Sequence, residues 1–174
     1  CIAQGDLVGE VAVAAKHALE TGAEAVLIFD DKNGRVVDVD YRGTDEEVLA
    51  RLRPETPKRS RGRPRLGVTS REVTLLPRQW EWLAEQPGGI SVALRKLVDE
   101  ARKANRTKDD VRRAQTRAYQ FASAMAGDLP GFEEAMRALF ANDKDKFAVC
   151  SSEWPADILK HTLHLAYSPI EDEL

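Results

Sequence analysis

The order of apolar and polar positions divides the chain into segments of different period. Residues 6–21 carry apolar side chains at Leu7, Val8, Val11, Ala15, Ala18 and Leu19, the spacing of one helix face, and Gly22 follows as a stop. Ala25–Phe29 is an unbroken apolar run of strand length. Asp31-Lys32-Asn33-Gly34 is a turn signal, and Arg35–Tyr41 then alternates, with Val37, Val39 and Tyr41 on one side. The two runs predict a β-hairpin. Thr44, three residues before Glu47, predicts a capping box that opens a short helix through Leu52. Together these elements predict a small α+β unit over residues 1–53.

Hydrophobic periodicity then stops. Prolines, glycines and charged residues over 54–70 predict an extended, exposed linker. The pattern resumes with Arg71–Leu76, a short strand ended by Pro77. A helix is expected from Arg78 to Gln86, burying Trp80, Leu83 and Ala84. Trp82 projects from another face, where it suits an interface better than a platform for an unpaired base. Pro87-Gly88-Gly89 breaks this helix. Ser91 is read as the cap of a second one, with Val92, Leu94, Leu97, Val98 and Ala101 as its apolar face.

Residues 107–174 read as helical throughout. Thr107, with Asp109 and Asp110 in the first turn, predicts a new helix to Ala126. Further helices are expected at Phe132–Phe140, with Phe132, Ala135, Met136, Leu139 and Phe140 inward, at Lys146–Ser151 and at Ala156–Tyr167. The expected fold class is therefore α+β: a helix-plus-hairpin unit, a basic linker, a strand-helix-helix unit over 71–106 and a C-terminal helical bundle.

Charge changes this picture. The formal net charge is −3, but residues 51–117 hold 18 Lys and Arg against 8 Asp and Glu. A basic middle between acidic ends is the footprint of a polyanion-binding segment, because a phosphate backbone responds to the field within about 8–10 Å. The basic residues peak at Pro57–Arg65, with Lys58, Arg59, Arg61, Arg63 and Arg65 around Gly62 and Pro64. Glycine lets the backbone approach a surface closely, and proline holds its neighbour extended. The core Arg61-Gly62-Arg63-Pro64 resembles an AT-hook. That resemblance implies insertion into the minor groove of A·T-rich double-stranded DNA, where the negative potential is strongest.

Strand, Leu-Pro-opened helix, glycine turn and second helix over 71–104 resemble a ribbon-helix-helix unit. That resemblance implies a homodimer whose paired strands form a ribbon. Its outward positions are either Glu72, Thr74 and Leu76 or Val73 and Leu75, neither set basic or amide-rich, so base readout is not implied. Arg71 and the start of the second helix would hold phosphates, with Thr74 among the candidate contacts. A helix-turn-helix with residues 91–103 as recognition helix is a second reading. At full length the chain resembles an uncharacterised bacterial family, with Arg61–Arg102 as its recognisable stretch; that implies no activity.

Catalytic and metal chemistry finds little footing. Asp30, Asp31, Asp38 and Asp40 put carboxylates around the hairpin, but aspartate is common at turns, and Arg42 stands where a calcium loop needs a bidentate Glu. His161 and His164 share a helix face, with Cys150 or Glu153 as conceivable zinc partners, yet no second ligand pair is spelled. Ser151 and Ser152 lack a nucleophile elbow, and no nucleotide fingerprint occurs. No metal, cofactor or enzyme activity is expected. Cys1 and Cys150 suggest no disulfide framework. The start, Cys1–Asp6, lacks the basic and apolar regions of a signal peptide, and no 18-residue apolar run occurs, so a cytoplasmic location is expected. The sequence therefore predicts a dimeric DNA-binding regulator or nucleoid-associated factor. The alternatives are a protein–protein module, such as an antitoxin-like protein with acidic C-terminal helices, or a small enzyme at the hairpin or the His161/His164 helix.

Overall fold

A computed structural model describes residues 1–5, 8–53 and 68–168. Its elements run α1 Val8–Glu20, β1 Ile28–Asp30, β2 Arg35–Val37, α2 Asp45–Leu52, α3 Pro77–Ala84, α4 Ile90–Ala126, α5 Phe132–Phe140, α6 Lys144–Cys150 and α7 Ala156–Tyr167. The described residues are thus mostly helical, with one small antiparallel hairpin. Residues 1–54 and 108–174 form one unit, and residues 55–107 form another; α4 runs from the second into the first. Among the described residues no helix is long and apolar enough to cross a membrane.

In the first unit α1 ends as its sequence predicts. Gly22 takes φ +106, its N–H reaches Leu19 O, and Ala23 N reaches Ala18 O, so two terminal carbonyls are capped. The buried residues of α1 are Ala12 and Ala15, whereas Val8 is exposed, so the buried stripe is narrower than the apolar pattern suggests. The hairpin pairs Ile28 with Val37, Phe29 with Val36 and Asp30 with Arg35. Both strands are shorter than expected: Ala25–Leu27 and Asp38–Tyr41 leave the ladder, because a two-stranded sheet has no further neighbour to hold them. Val37, Val39 and Tyr41 still turn to one side, where they meet Ala12, Ala15, Ile28 and Val48. The expected capping box opens α2, with Thr44 Oγ1 accepting from Glu47 N and Glu47 Oε2 accepting from Thr44 N.

A larger core joins the end of α4 to α5, α6 and α7 around Phe121, Met136, Leu139, Phe147, Trp154 and Leu165. Helices α5 and α7 have the predicted bounds, while α6 starts and ends slightly earlier than expected. Phe140, expected inward, is exposed, and Ala138 is buried. Asn142, at φ +56, turns the chain after α5, and Asp143 then caps α6 through a bond from Lys146 N.

The second unit departs further from the sequence reading. Helix α3 begins at Pro77, with Gln79 Oε1 accepting from Leu76 N. Its buried residue is Leu83; Trp80 is half-buried and Ala84 exposed. After the Pro87-Gly88-Gly89 turn, Gly89 O accepts from Val92 N and Ala93 N, so the first helical bonds close on Gly89 and Ser91 lies within the first turn. The expected break at Thr107 is absent, and α4 is one 37-residue helix. No proline or glycine interrupts residues 90–126. The capping residue Thr107 is only mildly unfavourable inside a helix, so its local preference is overridden.

Candidate functional site

The residues singled out for DNA fall into two groups. Lys58, Arg59, Arg61, Gly62, Arg63, Pro64 and Arg65 lie outside the described residues. Arg71 and Thr74 are described, and both are exposed. They sit on Val68–Leu76, which forms no strand within its own chain, contrary to the strand expected at 71–76. Among the described residues, no backbone group of residues 68–75 takes part in a hydrogen bond. A six-residue segment cannot form a ladder alone.

Beside this segment, α3 and α4 enclose a groove of about 450 Å3 lined by Leu75, Trp82, Leu83, Leu94 and Leu97 together with Arg78 and Gln79. Leu75 is half-buried there, while Glu72, Val73, Thr74 and Leu76 are exposed. Of this segment only Leu75 lines the groove. Trp82, 49% exposed, presents an indole at the edge of the groove. Leu97 and Val98 of the expected apolar face are also exposed.

A second constellation lies in the first unit, where the hairpin meets α4 and α7. His161 Nε2 lies 3.0 Å from Asp31 Oδ1. The imidazole also packs edge-on against Phe121, which meets Phe29 of β1 in the same way. The hydrogen bond from His161 holds the Asp31 carboxyl below its usual range, against the opposing effect of burial. Arg117 of α4 is buried, which lowers its pKa, and the nearby Asp31 charge partly offsets that effect. Its Nε donates to Leu165 O at 2.6 Å and its Nη2 to Ser168 O at 2.8 Å, near and just beyond the end of α7. Its Nη1 reaches Asp31 O at 3.4 Å. A guanidinium placed on the carbonyls that close a helix satisfies orphan acceptors and sits at the negative end of the helix dipole.

The hairpin carboxylates and the two histidines, separate in the sequence reading, thus meet at Asp31 and His161. Among the described residues they form no group of three or more ligands able to hold a metal ion. Asp30 accepts from Lys32 N and Asn33 Nδ2, Asp40 pairs with Arg42, and His164 Nδ1 lies 2.9 Å from Ser168 Oγ. The arrangement explains a docked hairpin better than it explains chemistry. Arg117 is the residue that sequence reasoning missed. Its only local signal is an arginine among the alanines and aromatics of the buried end of α4.

One family model matches residues 1–166. The chain belongs to DUF2239, a family described as an uncharacterized protein conserved in bacteria. The match spans both units, so the N-terminal elements, the basic segment and the C-terminal helices belong to one family pattern. No curated protein and no solved structure matches the chain. The family description assigns no activity, so function rests on the residues themselves.

Proposed function

We propose that this protein binds double-stranded DNA, preferring A·T-rich duplexes, through the segment Lys58–Arg65, and acts as a small regulator or nucleoid-associated factor. The observation that carries the reading is the Arg61-Gly62-Arg63-Pro64 core within five cations, in a chain whose remainder is acidic. Two further features support it. By sequence, residues 55–107, which contain the segment, hold 12 Lys and Arg against 6 Asp and Glu, in a protein of net charge −3. The unpaired segment and the apolar groove beside it offer a surface on which two copies associate, which would place two basic segments on one duplex. Residues 71–106 then dimerise the protein, and Arg71 and Thr74 lie near the nucleic acid.

The test is binding of the full chain to A·T-rich and G·C-rich duplexes across a salt series. If each of the five cations neutralises about one phosphate, log affinity falls with log salt at a slope of roughly −4 to −5 for one segment and more steeply for two. Equal affinity for both duplexes with a slope near zero would remove the proposal.

A further inference from the structure

The middle of α4 is exposed on every side: residues 95–108 contain no buried or half-buried position. A helix polar on every side runs through solvent between packed regions or is supported by its own side-chain pairs, so its surface is open to a partner. Its charges follow a pattern. At 100° per residue, Arg95, Lys96, Arg102 and Lys103 fall within an arc of about 120°. Leu94, Leu97 and Ala101 fall on the opposite side, and Leu94 and Leu97 line the groove against α3. The packing of α3 on α4 therefore fixes which way the cations point, with Lys96 nearest the border, beside Trp82 and Glu100.

Among the described residues none of these four cations makes a salt bridge, although Asp99 and Glu100 stand four residues beyond Arg95 and Lys96. That spacing normally supports an ion pair on a helix. Further along the same helix, ion pairs form at a spacing of three residues with the acid first, between Asp109 and Arg112 and between Asp110 and Arg113.

We infer that this face of α4 is a second DNA contact, gripping the phosphate backbone of the duplex that the basic segment binds; the inference rests on the DNA-binding reading above. Arg95/Lys96 and Arg102/Lys103 stand seven residues apart, about 10.5 Å along the axis. That is close to the ~12 Å width of the major groove, so each pair can meet the backbone on one side of it. Asp99 lies on the same arc between the pairs, where it is furthest from either line of phosphates. Contacts of this kind add affinity and orientation without sequence preference.

The experiment compares the full chain with R95Q/K96Q/R102Q/K103Q on A·T-rich and G·C-rich duplexes across a salt series. Glutamine matches Arg and Lys in helix propensity, and unchanged helical circular dichroism confirms folding. Should the quadruple variant fold poorly, R95Q/R102Q carries the same test at half the effect. The expected result is a salt slope shallower by about 3–4, with the ratio of A·T to G·C affinity unchanged. A variant slope equal to that of the wild type, with the wild type still binding, overturns this inference and leaves the basic segment as the sole contact. A variant that keeps its slope but loses A·T preference overturns it as well. No binding by the wild type at low salt overturns the DNA reading itself, and this inference with it.

Discussion

Gly34 of the hairpin turn lies directly against the backbone of Arg117, so that a Cβ at residue 34 would overlap the Arg117 carbonyl oxygen. Gly34 also takes φ +71, and its N–H closes the turn on Asp30 O. The tip of the hairpin is therefore fitted to α4 by the absence of a side chain. Gly34→Ala should cost about 2 kcal/mol or more, combining left-handed strain with displacement of the hairpin. Urea denaturation measures it; a loss under 0.5 kcal/mol would show that the contact is loose.

Arg117 is 6% exposed and donates to three carbonyls from two parts of the chain. Arg117→Met keeps much of the packing but leaves those acceptors unpaired. A loss of about 2–4 kcal/mol is expected. Arg117→Lys should recover little, because one ammonium cannot reproduce the planar fork. Full recovery by lysine in thermal melts would contradict this account.

Asp31 gives the fold an acid-sensitive link. Its pKa is lowered in the folded protein, so its contribution is present above the ordinary carboxyl range near pH 4 and is lost as pH falls through the lower folded value. Asp31→Asn should be less stable than the wild type at neutral pH, and the gap should narrow below pH 4. Melting curves from pH 7 to pH 2 check this, and a gap that widens in acid would reverse the assignment.

Among the described residues the backbone of 68–75 makes no hydrogen bond, which leads to an expectation about assembly. This segment, rich in β-formers and beside an apolar groove, is expected to pair with a two-fold copy of itself. Like charges directly opposite are unfavourable, which argues against registers centred on Arg71 or Glu72 and favours Val73 or Thr74. The wild type should have the mass of a dimer in light scattering at micromolar concentration, and Thr74→Pro should shift it to monomer. A monomeric wild type would dismiss the ribbon.

For the basic segment, the informative substitution changes no charge. Gly62→Val should weaken A·T-rich binding as much as Arg61→Ala or Arg63→Ala, roughly 1–3 kcal/mol each, because a branched side chain holds the backbone off the groove floor. Lys58→Ala should cost less and act alike on all duplexes. A silent Gly62→Val, measured by fluorescence anisotropy at one salt concentration, would reduce the segment to a generic polyanion binder.

Features decided within a few residues were legible in the sequence. The Gly22 stop, the Thr44–Glu47 capping box and the bounds of α5 and α7 all follow from contacts no more than five residues apart. Local signals misled where a distant neighbour had the deciding contact. Thr107 could have opened a helix, but nothing on either side ended the one already running. Ala12 and Ala15, rather than Val8, are buried because the hairpin and α2 cover that side of α1. The meeting of Asp31 with His161, 130 residues away, and of Arg117 with the end of α7 left no periodic trace. A single polar side chain buried against a remote backbone carries no repeat for the sequence to display, so only the tertiary structure decides where it goes.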